Sequence, residues 1–285
     1  MQRIIGRDIY EGKLSSDVYE VFVNDLAHGH KEVTINRAVQ WEHLCTMTDE
    51  AYRMYLDSCE ALHNDPDWLA ERERVNRERA ARRAKTKVRR LCKQMGCDAL
   101  LTLTYRENVQ QLEMVKKHMK EFVRRVRRLV PGFAYVAAFE RQKRGAWHVH
   151  LAIHALPFTL PSAGVKVKSY SVIRAVWRSV VGDLGGNIDQ ARKKRHSRKS
   201  PAQMASYISK YILKAFEEGA EFSNRYSASA CTLPKSVRLR FQGATLADLI
   251  QLVYVDLLGS EVRTNPWISA WGDRFFLVAE PAPPA

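Results

Sequence analysis

The sequence predicts an α+β chain built around a split βαβ antiparallel sheet, with a helix after the last strand, a helical N-terminal extension and a small C-terminal extension. Three observations carry this reading. Apolar runs with strand character alternate with segments of helical periodicity in the order strand, helix, strand, strand, helix, strand, helix between residues 97 and 216. Two of those runs are separated only by the turn-like "RQKRG" (141–145), so they form a hairpin. Pro131–Gly132 ends one helical stretch, and Pro201 after Ser200 opens another.

Residues 1–78 are expected to be mainly helical, because "EAYRMYLDSCEALH" and the basic "DWLAERERVNRERAARRAKTKVRRLCKQMG" dominate them. The next part, 79–216, holds the sheet. "CDALLTLTY" (97–105) is its first strand, and "ENVQQLEMVKKHMKEFVRRVRRLV" a helix with Leu112, Val115, Met119, Phe122, Val123, Val126 and Leu129 on one side. "FAYVAAFE" (133–140) and "AWHVHLAIHAL" form the hairpin, "SVIRAVWRSVVGDL" a helix, "GNIDQA" a strand, "RKKRHSRKS" a basic loop and "PAQMASYISKYILKAF" the last helix. In this ferredoxin- or RRM-like plan the first and third strands are central, and the third carries His148 and His150. Residues 217–285 supply the helix "TLADLIQLVYVDLLG", the hairpin-like "WISAWGDRFFLVAE" and a tail, "PAPPA", expected to be disordered.

The 285 residues include 46 Lys and Arg against 31 Asp and Glu, a formal net charge of +15, which points to a polyanionic partner. No apolar run of about 18 residues is present and the N-terminus lacks a signal-peptide core, so a cytoplasmic protein with no membrane partner is expected, and nucleic acid is the leading polyanion. The five cysteines are odd in number and show no CxxC spacing, which argues for reduced thiols.

His148 and His150, two apart on a strand, point to one face. Glu140 ends the preceding strand of the hairpin, which brings its carboxylate beside them. Two imidazoles and a carboxylate with positions left open suit Mg²⁺ or Mn²⁺ acting as a Lewis acid. On the last helix, Lys210, Tyr211 and Lys214 all fall within roughly 60° of Tyr207 on the helical wheel, so two phenols and two ammonium groups share a face. A phenol is a poor nucleophile near neutrality until a cation or metal favours its phenolate. Each feature has a bland counterpart: packed histidines, a surface ion pair between Glu140 and the "RQKR" turn, and tyrosines that only pack. "HGH" (28–30) is read as such a decoy, since Gly29 breaks the strand, and His154 and Trp147 as structural. The basic helix 71–94 is either a solvated face or a contact for DNA backbone, and Arg144 with Arg192, Lys193, Lys194 and Arg195 are candidate phosphate contacts.

"LLTLTY", "FE" followed by "RQKRGAWHVH", and "YISKYILK" resemble the three ordered motifs of the HUH endonucleases, in particular the two-tyrosine rolling-circle replication initiators of single-stranded DNA phages and related plasmids. The resemblance covers about residues 80 to 216. It implies a metal-dependent nickase and strand transferase that attacks single-stranded origin DNA with a tyrosine, keeps the 5′ end as a phosphotyrosine, frees a 3′ hydroxyl as primer and later rejoins ends. His148, His150 and Glu140 match the metal positions, and Tyr207 and Tyr211 the nucleophiles. A non-catalytic single-strand-binding module uses a similar sheet, and a mobilisation relaxase or single-strand transposase the same chemistry. The tyrosines follow the histidines here, which favours the initiator over the relaxase. The chain has no GxxxxGK[ST] loop, so strand separation is expected to rely on a host helicase.

Overall fold

The structure is a computed structural model that describes residues 1–154, 156–162, 164–190, 202, 204–211, 226–259 and 262–282 in full, and the backbone alone at 191–192, 201, 203 and 212–218. Its elements run β1 (Gln2–Ile5), β2 (Asp8–Asp25), β3 (Lys31–Thr46), α1 (Asp49–His63), α2 (Pro66–Gln94), β4 (Ala99–Tyr105), α3 (Leu112–Leu129), β5 (Ala134–Arg141), β6 (Trp147–His154), β7 (Thr159–Ser162) and β8 (Val165–Lys168). They continue with α4 (Ser169–Val181), β9 (Gly186–Arg192), α5 (Pro201–Glu218), β10 (Tyr226–Ala228), β11 (Val237–Gln242), α6 (Leu246–Leu252), β12 (Val262–Ile268) and β13 (Arg274–Pro281). Two compact units result, one of Met1–Arg77 with Pro234–Pro284, the other of Glu78–Leu233. Among the described residues no helix is long and apolar enough to cross a membrane.

The first unit corrects the expectation of a mainly helical 1–78. Up to Thr46 the chain is three antiparallel strands, and only then do α1 and α2 begin. The cause is a period-two pattern that the neighbouring helical signal overshadowed: Tyr19, Val21 and Val23 alternate into the core beside Val33 and Ile35. "HGH" is the turn of that hairpin. His28 and Gly29 both have positive φ, 57° and 71°, and the His30 N–H donates to the Ala27 carbonyl at 3.4 Å, a type I′ geometry that suits the twist of the flanking strands. Nor do β11, β12 and β13 form a separate C-terminal extension. β11 pairs with β2 and β13 with β3, giving one sheet in which Phe275, Leu277 and Ala279 join the N-terminal valines under Leu249 and Val253. Long edges on β2 and β3 demand partners, and the C-terminal strands supply them. Of the "PAPPA" tail, residues 283–285 lie outside the described residues.

In the second unit the sheet order is β10-β5-β6-β4-β9, antiparallel throughout, with the histidine strand β6 and the first strand β4 at its centre as the split βαβ plan requires. Odd-numbered residues of β4, Leu101, Leu103 and Tyr105, pack with Val149, Leu151 and Ile153 of β6 against α3 and α4. Even-numbered ones face the other way, where Leu100, Val136, Ala138 and Ala152 meet the C-terminal half of α2 and Met204, Ala205 and Ile208 of α5. The α3 side is closed by Trp177, whose indole N–H donates to the Thr104 carbonyl at 2.9 Å and whose ring stands edge-on to Phe122 with centroids 5.6 Å apart. Gly186 is where β9 passes this indole; a Cβ there would lie 2.7 Å from the Trp177 Nε1. Trp147 is on the same side, partly buried, with its indole donating to the Gln110 carbonyl.

Because Phe122 is fully buried and holds Trp177 in place, Phe122→Ala is expected to cost about 3–5 kcal/mol. Urea unfolding followed by tryptophan fluorescence reads this directly; a loss below about 1 kcal/mol would mean that the site collapses without a cavity.

Candidate active site

The β5–β6 hairpin sets the geometry. Its turn is a type I turn closed by a bulge, with the Gly145 N–H donating to the Gln142 carbonyl at 2.8 Å and Gly145 at φ 90°. That register puts Glu140 opposite His148 and Ala138 opposite His150, while β4 places Thr102 against the other side of His150. All these residues share the face that α5 covers.

His150 is the junction. Its Nε2 donates to the Glu140 Oε2 at 2.7 Å, and its Nδ1 lies 3.2 Å from the Thr102 hydroxyl, which can donate or accept as the imidazole requires. The Glu140 side chain is only 15% exposed, so the surface ion pair with the turn is not what it makes. Small neighbours on both sides, Thr102 and Ala138, leave room for the Tyr211 ring to lie flat on the imidazole, with centroids 3.7 Å apart and planes 13° from parallel. Sequence reasoning did not single out Thr102. Its signal is parity: it is the polar residue of β4 directly across from His150.

His148 is half-buried and makes a different contact. Its Nδ1 lies 3.1 Å from the Gln142 Nε2, and the Gln142 Oε1 in turn accepts from the Arg144 Nε at 3.1 Å. A guanidinium only donates, so Arg144 fixes the amide with its NH₂ toward the imidazole, and Nδ1 of His148 is an acceptor. Burial, and then the neighbouring His150, hold this imidazole below its ordinary pKa. At neutral pH it is therefore uncharged with its proton on Nε2. Arg144, a candidate phosphate contact, is exposed and also donates to the Tyr105 carbonyl at 3.4 Å, so part of its role is to hold this turn.

As a metal centre the donor set fits a hard divalent ion in its chemistry: two imidazoles and a carboxylate on one face, two of them already touching. The positions do not yet converge. The two imidazole centroids are 6.3 Å apart, and among the described residues no group of three or more His, Cys, Asp and Glu side chains is arranged to hold an ion. Glu140, His148 and His150 are the residues that would hold such an ion, and His148 could offer Nε2 to it only with its proton on Nδ1, which would break the present Gln142 contact.

Tyr207 and Tyr211 stand one turn apart on α5 with rings 5.2 Å apart, and the Tyr211 hydroxyl donates to that of Tyr207 at 2.7 Å. The pair is asymmetric. Tyr207 is 40% exposed, whereas Tyr211 sits against His150 and its phenol pKa is pushed up, first by burial, then by the bond to Tyr207 and the Glu140 charge. Lys210 is exposed on the same helix and has no hydrogen bond or ion pair among the described residues. Lys214 lies in α5, with its side chain outside the described residues, as is that of Arg192 at the end of β9; Lys193, Lys194 and Arg195 lie wholly outside them.

The His148 assignment is checked by ¹⁵N NMR of the metal-free chain. An Nε2–H tautomer is expected in the wild type and a mixture of tautomers in Gln142→Leu; a wild-type Nδ1–H tautomer would reverse the Gln142 orientation described above.

No curated protein and no solved structure shows significant similarity to the chain. The family comparison does: residues 98–216, which carry Glu140, His148, His150, Tyr207 and Tyr211, match the family described as Replication-associated protein ORF2, a likeness consistent with a rolling-circle replication initiator.

Proposed function

We propose that the chain is a replication endonuclease that nicks single-stranded origin DNA with a tyrosine and later rejoins the ends. The observation that carries this reading is the contact of the two phenolic hydroxyls, 2.7 Å apart, on a helix whose Tyr211 lies against the His150–Glu140 pair. Structural tyrosines at this spacing need neither an exposed hydroxyl nor a stacked, carboxylate-bound histidine.

In the cleavage step a tyrosine oxygen attacks phosphorus, the bond from phosphorus to the 3′ oxygen breaks, the phenol proton is lost and the departing 3′ oxygen is protonated. The products are a 5′-phosphotyrosine and a 3′ hydroxyl. Rejoining is the reverse, with the 3′ hydroxyl as nucleophile and the phenol as leaving group, so it consumes no nucleotide. Tyr207 is the better placed first nucleophile, because it is exposed and the hydrogen bond from Tyr211 stabilises charge on its oxygen. Tyr211 is then held for the second attack. Lys210, and Lys214 one turn on, neutralise charge on the attacked phosphate. His148, His150 and Glu140 would hold Mg²⁺ or Mn²⁺, which supplies Lewis-acid polarisation of the phosphate.

DNA is gripped from the same side of the sheet. α2, which packs on the tyrosine-bearing face, turns outward Arg82, Arg83, Lys87 and Arg90 around a recess of about 420 Å³, a phosphate-binding surface that favours the DNA reading of this helix. In this scheme Arg144 and the basic run Arg192–Arg195 add phosphate contacts, a host helicase opens the duplex, and the reaction takes place in the cytoplasm of the cell that carries the replicon.

With a single-stranded origin fragment and Mn²⁺, Tyr207→Phe should lose most first-round adduct, Tyr211→Phe should keep it but fail to recircularise, and the double variant should form none. Mapping the DNA-linked peptide decides this, and an adduct confined to Tyr211 would reverse the order. His148→Ala with His150→Ala should lower nicking at least about 100-fold while gel-shift affinity stays within about threefold of wild type, since the basic surface supplies most of the binding. Cleavage by that variant at the wild-type rate would refute the metal assignment, and binding without any adduct from the wild type would leave the non-catalytic module.

A further inference from the structure

A groove of the second unit lies not at the histidines but on the opposite side of the sheet, where α3 and the β5–β10 edge enclose about 620 Å³. Its rim is cationic. Lys116, Lys120, Arg124 and Arg127 fall four, four and three residues apart and so form one stripe along α3. Its floor is apolar and aromatic, made by Met119, Val123, Tyr135 and Phe139. Among the described residues no acidic side chain lines it. Lys116 and Arg124 reach Glu113 and Glu121 outside the groove, and Arg127 donates to the Phe133 carbonyl and lies over the Tyr135 ring. Lys120 is exposed and has no ion pair among the described residues.

A basic stripe over a floor of flat apolar groups matches a chain of phosphates carrying bases, and this volume lies within the range of about 300–1,000 Å³ that holds small ligands. The groove also adjoins the catalytic face by the shortest possible route. Phe139, on its floor, immediately precedes Glu140, whose side chain faces the histidines. β10 pairs with β5 from Val136 to Ala138.

We propose that this groove binds a second stretch of the nicked single strand, with phosphates on the Lys116–Arg127 stripe. The inference rests on single-stranded DNA being the substrate, but it does not require cleavage. Holding DNA here lets the protein keep one side of the nick while the other is consumed by synthesis.

The test uses the full chain with Tyr207→Phe and Tyr211→Phe and no added metal, so that failure to nick has no bearing on it. An oligodeoxynucleotide carrying 5-iododeoxyuridine at successive positions should photo-crosslink to the segments 112–129 and 134–141. In the same background Lys120→Glu with Arg124→Glu should weaken binding at least about tenfold near 0.1 M salt and lower the slope of log affinity against log salt by about 1.4, the value for two single-strand phosphate contacts. Lys166→Glu, an exposed cation of β8, should change neither. Crosslinks confined to α2, α5 and β6, or a groove variant that binds as tightly as Lys166→Glu, would overturn the proposal and leave the nickase reading standing. Loss of the groove crosslinks to a mononucleotide that leaves oligonucleotide affinity unchanged would overturn it in favour of a free-nucleotide site. A chain that binds no single strand would overturn both readings.

Discussion

The site depends on one buried cross-strand contact, the bond from His150 to Glu140 at 2.7 Å, because it fixes three other things at once. It ties the end of β5 to the middle of β6, and so holds the register on which Glu140 and His148 stand opposite each other. Together with Thr102 it clamps the imidazole plane. The clamped plane is the surface on which Tyr211 lies, and Tyr211 in turn bonds Tyr207. A histidine free to change rotamer would remove the surface on which Tyr211 lies, and among the described residues the packing of α5 on this face would then rest on Met204, Ala205 and Ile208.

The contact is also a source of tension. A carboxylate and an imidazole that satisfy each other are stable without an ion, and His148 is satisfied separately by Gln142. An ion held by these residues would displace the proton between His150 and Glu140 and break the Gln142 contact of His148. Groups held in this way keep their places while the ion is absent, and none of them leaves a bare charge buried. The cost is that ion affinity is reduced by the bonds that must be exchanged. Under the proposed function, such a site would suit an abundant, exchangeable divalent ion better than a permanently bound one.

Most of this was legible where local rules decide the structure. Parity along β6 put both histidines on one face, the tight hairpin put Glu140 beside them, and the helical period put Tyr207 and Tyr211 together. What could not be read depends on partners distant in sequence or on signals a stronger neighbour hid. β13 reaches back to β3, and β11 to β2, and nothing near either strand announces that pairing. The strands before Thr46 were masked by the charged helices that follow them, although Tyr19, Val21 and Val23 carry the alternation and His28–Gly29 the turn. Thr102 and Gln142 were missed because a Thr in an apolar strand and a Gln in a turn are unremarkable until the strand across from them is known.

The two faces of the sheet in Glu78–Leu233 divide the labour by parity. Residues of even number in β4, β5 and β6 carry the polar groups, and α5 with the basic α2 lies over them; residues of odd number carry the core, with the cationic stripe of α3 beyond it. A positive excess spread over both sides is more than one strand needs at a single phosphodiester, and it destabilises the compact state through self-repulsion. On the proposed reading, polyanion on both sides during turnover offsets that excess. An initiator that joins one end of a strand to itself while the other end is extended meets this condition, because it must hold the DNA after the covalent bond is made as well as before. In the proposed scheme, affinity carried by phosphates on two faces separates binding from chemistry and leaves the small polar cluster around His150 to act on the one phosphate that reaches it.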